Sequence, residues 1–266
     1  MGYSIAFVAN AEKPNAVSVR DEAMRIARGK GFTCFSIDPL SAHRDARLQE
    51  ASFLAAFGGD GTILKAVPFA AEYDIPILGV NLGRVGFLSE IQPDAFSAVL
   101  ELFLSGGLAS ESRMMLACSV NGVHVCDCLN DVLLYKQSFS GVAHIGMCVN
   151  GEDAGTVFCD GMIVSTPTGS TGYSISVGGP IIAPGLDACI LVPVCPHSLL
   201  VRPIVASADA RIDLTMKSDG ALYADGIKVM DVNRDDSVLV TKSHKAARFL
   251  RVGAHNLYNL IKEKLS

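Results

Sequence analysis

No apolar run in this sequence reaches the roughly 18 to 20 residues of a bilayer span, because Gly, Pro or a charge interrupts each one first. No membrane partner is expected. Long cationic runs are lacking too: Lys242-Ser243-His244-Lys245 is short, and 22 Lys and Arg face 27 Asp and Glu, for a net charge of -5. That balance argues against nucleic acid or an anionic surface. No pair of the 8 cysteines has CxxC spacing, and Cys126 and Cys128 fall on one face of an expected strand. Reduced thiols, mostly buried as small hydrophobes, are expected instead of zinc or disulfides. Repeats and low-complexity linkers are not visible, nor is a charged and apolar leader at Met1, so the expected location is cytoplasmic.

What is present suits a sizeable core: of 266 residues half are apolar and 18% charged, which excludes a disordered or collagen-like chain. Nearly continuous apolar runs at 4–8, 33–37, 52–57 and 75–80 read as fully buried strands. Between them, residues 17–28 carry apolar positions at helical spacing and end at Gly29. A later helix opens at Pro93 and stops at Gly106-Gly107. Such alternation predicts an α/β domain with a parallel sheet over residues 1–105. Beyond it, Asn121-Gly122, Asn150-Gly151 and Asp219-Gly220 offer the positive φ angles of two-residue hairpins. Residues 106–252 are therefore expected to form a mainly antiparallel all-β domain. Leu257, Leu260 and Ile261 make 253–266 an amphipathic helix, expected to return to the first domain.

Chemistry concentrates in two segments. Gly58-Gly59-Asp60-Gly61-Thr62 joins an apolar strand to a helix-like run at 63–67, leaving backbone amides open at a helix N-terminus, which suits phosphate. The GxxxxGK[ST] loop is absent, and a dinucleotide fingerprint would want glycine where Leu64 stands. Asp60 would repel phosphate, so its presence suggests a proton acceptor for an attacking hydroxyl, or a magnesium ligand; a simple turn Asp is the plainer alternative. The second segment, Ser165-Thr166-Pro167-Thr168-Gly169-Ser170-Thr171-Gly172-Tyr173-Ser174-Ile175-Ser176, offers donors and acceptors to ribose hydroxyls and one Tyr to a base. Asn81-Leu82-Gly83-Arg84-Val85-Gly86-Phe87-Leu88 follows a strand, on the sheet edge where open α/β sheets bind ligands, and Asn130-Asp131 sets an amide beside a carboxylate.

In this order these motifs, with Cys195-Pro196-His197-Ser198 and Arg202-Pro203, closely resemble the NAD kinase family over most of the chain. The resemblance implies transfer of the γ-phosphoryl of ATP, or of polyphosphate, to the adenosine 2'-hydroxyl of NAD. It makes Asp60 the proton acceptor and Gly58, Gly59, Gly61 and Thr62 the shapers of the phosphate loop. Asn130 and Asp131 would contact ribose and base, Asp160 the nicotinamide end, and Thr171, Gly172, Tyr173 and Ser176 the adenosine pocket. Magnesium would arrive with ATP, without a protein metal cluster, and the protein would be a homo-oligomer. Two residues depart from the family pattern: Asp131 stands where Glu is usual and Gly172 where Ala is commoner. Lys65 and Arg84 are candidates to neutralise phosphate; His144 resembles a segment of some members, while His197 and Arg202 read as loop or interface residues. Competing readings are a diacylglycerol- or sphingosine-type lipid kinase with a related loop, and a non-catalytic NAD-binding regulator.

Overall fold

In the computed structural model, residues 2–10, 12–13, 15–38, 45–83, 86–138, 140–253 and 257–265 are described. The chain divides into two units, residues 1–112 with 246–266, and residues 113–245.

In the first unit the apolar runs become parallel strands β1 (Ser4–Ala9), β2 (Thr33–Ser36), β3 (Phe53–Gly58) and β4 (Ile77–Asn81), ordered β2-β1-β3-β4. All six residues of β3 are buried, as expected of a strand covered on both faces. Helices α1 (Ala16–Gly29), α2 (Asp60–Glu72) and α3 (Phe96–Leu104) complete the α/β pattern, and a 3₁₀ turn from Pro93 to Ala95 leads into α3. Helix α2 is longer than the run at 63–67 suggested. It starts at Asp60 and continues through Pro68. Stacked Phe7 and Phe57, with ring centroids 6.0 Å apart, and Phe96 against Phe57 at 5.6 Å anchor the core. The C-terminal helix α5 (Leu257–Leu265) groups with this unit, and no described helix is long and apolar enough to cross a membrane.

The second unit is antiparallel. One sheet orders β12 (Ile204–Ser207), β11 (Ala188–Val194), β10 (Gly161–Ser165), β7 (Asp131–Lys136), β14 (Gly220–Ala224) and β15 (Ile227–Val232). The other pairs β13 (Ile212–Met216) with β8 (Ala143–Val149), and β8 with β9 (Glu152–Cys159). Strands β5 (Ala109–Val120) and β6 (Val123–Cys128) form a further hairpin, and β16 (Ser237–Arg251) pairs β13. Val132, Leu134, Val164, Ile145, Leu214 and Val240, drawn from both sheets, share one core.

Asn121-Gly122 and Asn150-Gly151 are hairpin turns with positive φ at both residues. Asp219-Gly220 is not: Gly220 opens β14 in one sheet while β13 lies in the other. The hairpin of that region is Asp225-Gly226, at φ 48° and 79°, between β14 and β15. All eight cysteines are free thiols, Cys195 alone among them exposed. Burial pushes Cys159 and Cys189 up to about 11, which leaves little thiolate at neutral pH.

Candidate active site

The glycine-rich loop of the first unit turns as its composition requires. Gly58 ends β3, Gly59 is the extended N-cap of α2, and Asp60, Gly61 and Thr62 form the helix's first turn. Asp60 thus lies at the positive end of the helix dipole, where a carboxylate is favoured. Its orientation is set by the run at 81–88: Phe87 N donates to Oδ2 at 2.8 Å and Leu88 N to Oδ1 at 3.1 Å. A carboxylate has about four acceptor positions, so others stay open for an incoming hydroxyl. The run is itself braced, since Asn81 exchanges hydrogen bonds with Gly83 at 3.1 Å each way and Leu82 N donates to Gly58 O at 3.1 Å. Gly86 leaves room for this contact: a Cβ there would stand 1.9 Å from Asp60 Oδ1, so the carboxyl or the backbone would have to shift.

In the second unit Asn130 and Asp131 sit where β7 begins, clamped from two sides. Asp225, in the β14–β15 turn, accepts from Leu129 N at 2.9 Å, Asn130 N at 2.6 Å and Asp131 N at 3.3 Å. From the other side Thr166 N donates to Asn130 O at 2.8 Å, and Thr166 Oγ1 to Leu129 O at 2.6 Å. Gly169 passes so close that a Cβ would fall 2.0 Å from Asn130 O. Asn130 Oδ1 is buried without a partner among the described residues, an arrangement that calls for a ligand or water. Burial, and then the charge of Asp225, pushes Asp131 up to about 7; burial likewise raises Asp225.

The hydroxyl-rich stretch divides by role. Ser165, Thr166, Ser170 and Ser174 are fully buried and Thr168 nearly so. Of these, Ser165, Thr166 and Ser170 bind backbone atoms, which makes them framework and not the ligand-facing surface their composition suggested. Access remains at Thr171 and Gly172, both half-buried, and at Tyr173 and Ser176, exposed at the ends of the short helix α4 (Tyr173–Ser176). Asp160 pairs with Lys136 at 2.6 Å between β9 and β10. His144 packs edge-on against its cross-strand neighbour Phe158, ring centroids 4.3 Å apart. His197 and Arg202 lie exposed in the segment between β11 and β12, Arg202 bonded to the carbonyls of Leu199 and Val201. Lys65 is exposed on α2, and Arg84 falls outside the described residues. Asp225 escaped the sequence reading; its signal was the Asp-Gly dipeptide of a hairpin.

Residues 6–108 match the family described as ATP-NAD kinase N-terminal domain and residues 129–252 the ATP-NAD kinase C-terminal domain. The NAD kinase of Moorella thermoacetica is 35% identical over 98% of this chain and 88% of its own length. That of Geotalea daltonii is 33% identical over 98% and 97%. Among solved structures, yeast NADH kinase complexed with NADH aligns at a TM-score of 0.88 and 20% identity, covering 99% of this chain and 87% of that one. An NAD kinase from Archaeoglobus fulgidus in complex with ATP aligns at 0.79 and 26%, covering 98% and 99%.

Proposed function

The chain belongs to the NAD kinase family and is an NAD kinase, and from that premise we propose how its residues divide the work. Asp60 accepts the proton of the adenosine 2'-hydroxyl of NAD as that oxygen attacks the γ-phosphorus of ATP. ADP departs, and NADP carries the new phosphate. The observation that carries this reading is the Asp60 carboxylate, aimed by two backbone N–H groups at the mouth of a glycine-rich phosphate loop. Gly58, Gly59, Gly61 and Thr62 shape that loop at the helix N-terminus, with Thr62 N closing on Gly59 O at 2.9 Å; catalysis rests on positioning and charge more than on covalent chemistry.

The second unit holds the dinucleotide in this proposal. Asn130 and Asp131 contact ribose and base, Thr171, Gly172, Tyr173 and Ser176 line the adenosine pocket, and Asp160 faces the nicotinamide end. The unpartnered Asn130 Oδ1 and the accessibility of residues 171–173 support it. Magnesium is proposed to arrive bound to the donor's phosphates. It would neutralise charge there. Leu199 and Leu200, 87% and 88% exposed beside the edge strand β12, support a homo-oligomer, and the free thiols a reducing, cytoplasmic location. The lipid-kinase and silent-regulator readings gain nothing from these relatives. A coupled assay of the purified chain with ATP, magnesium and NAD tests the proposal: NADP should form, and its absence would refute it.

A further inference from the structure

The turn after β1 carries a cation to the phosphate loop. Asn10 N donates to Phe57 O at 3.3 Å, continuing the register in which Ala9 faces Phe57, so this turn is tied to the end of β3. Lys13 N in turn donates to Asn10 O at 3.0 Å. From that base the Lys13 side chain reaches over Gly59: its Nζ lies 3.4 Å from where a Gly59 Cβ would stand. No ion pair to Lys13 is seen among the described residues. The loop it covers has a further mark of a ligand site. Thr62 is only 4% exposed, and its Oγ1 is buried without a partner among the described residues.

Charge favours a protein cation here, beside any magnesium the donor brings. Asp60 already places one negative group in the first turn of α2, and a polyphosphate chain would add several more. The helix terminus offers only about half a positive charge in return. An ammonium on a flexible stem, with three donors, suits phosphate oxygens whose positions shift during transfer. Lys65 points to solvent further along α2, whereas Lys13 overhangs the loop.

We propose that Lys13 binds the phosphate chain of the donor at the Gly58–Thr62 loop and offsets the charge of Asp60 there. The proposal rests on the assignment of that loop to the phosphoryl donor. Because Lys13 is exposed, its replacement leaves the core intact.

The test is steady-state kinetics of the full chain carrying Lys13→Met or Lys13→Arg, with inorganic tripolyphosphate as a donor-competitive inhibitor that has no nucleoside. Lys13→Met should raise KM for ATP about tenfold or more, as loss of a charge-assisted contact implies, with KM for NAD little changed. Tripolyphosphate should lose inhibitory potency by a similar factor, and Lys13→Arg should restore most of both. An unchanged KM for ATP in Lys13→Met, or a rise in KM for NAD alone, would overturn the assignment of Lys13. Failure of the underlying reading looks different: against the unaltered protein tripolyphosphate would compete with NAD and not with ATP.

Discussion

Asp60 Oδ2 lies 2.8 Å from the backbone nitrogen of Phe87, which donates to it, and Leu88 N holds the other oxygen at 3.1 Å. The proposed base is therefore oriented by main chain. No side-chain rotamer has to be found before a hydroxyl arrives, and two elements that leave adjacent parallel strands, β3 and β4, share control of one carboxylate.

Replacing Asp60 by Asn keeps the shape but removes the proton acceptor and turns an NH2 group toward one of two N–H donors. Turnover should fall by at least about a thousandfold, within the range for loss of a general base. NAD affinity, measured by titration, should stay within about tenfold, or ~1.4 kcal/mol. Undiminished turnover would take Asp60 out of the chemistry.

Gly86→Ala tests the same geometry without touching the acid. Its new Cβ would stand 1.9 Å from Oδ1 and 2.6 Å from Cγ of Asp60, so the carboxyl or the 86–88 backbone must move. A displacement near 1 Å costs about a hundredfold in rate. NADP formation should drop by that order while NAD still binds; normal turnover would show that the Phe87 and Leu88 contacts are dispensable.

Much of this was legible in sequence, for identifiable reasons. Strands buried on both faces are apolar at nearly every position, so β1, β3 and β4 announced themselves, and a glycine-rich strand–helix junction suits an anion. Asp219-Gly220 misled because a dipeptide reports local φ preference and not which strands will pair. Asp225 stayed hidden for a related reason: its partners lie about 95 residues earlier, beyond any local pattern. The hydroxyls of 165–174 looked like a binding surface because composition does not say which face is buried. Several of them instead satisfy backbone groups that a tight loop would otherwise orphan.

Tyr173, 43% exposed at the start of α4, is available to stack on a base. Tyr173→Ala should weaken NAD binding by about tenfold and ATP binding less, read by equilibrium titration of each. The opposite order would mean that the two nucleotides are assigned to the wrong pockets.

Asp225→Asn probes the clamp on residues 129–131. An amide oxygen can replace only part of three N–H acceptances, and the turn it anchors would loosen. KM for NAD should rise about tenfold or more, with KM for ATP nearly constant. Equal rises in both would point to general loss of structure.

Asp131 makes stability itself depend on pH. Folded, burial and the charge of Asp225 hold its carboxyl up at about 7; its ordinary value is 3.8. Between those values the native state keeps a proton that the unfolded chain has released. The contribution is therefore fully present below the lower value and lost as pH rises through the upper one. Asp225, raised by burial, acts in the same direction. Asp131→Asn removes the ionisation and keeps the size, so the variant should gain on the unaltered protein as pH climbs from about 4 to about 7 and level off above, by on the order of a few kcal/mol at the top. Urea unfolding of both proteins across that range measures the difference directly. A difference independent of pH would mean that Asp131 is ionised throughout, and that the pocket is wetter around it than its burial implies.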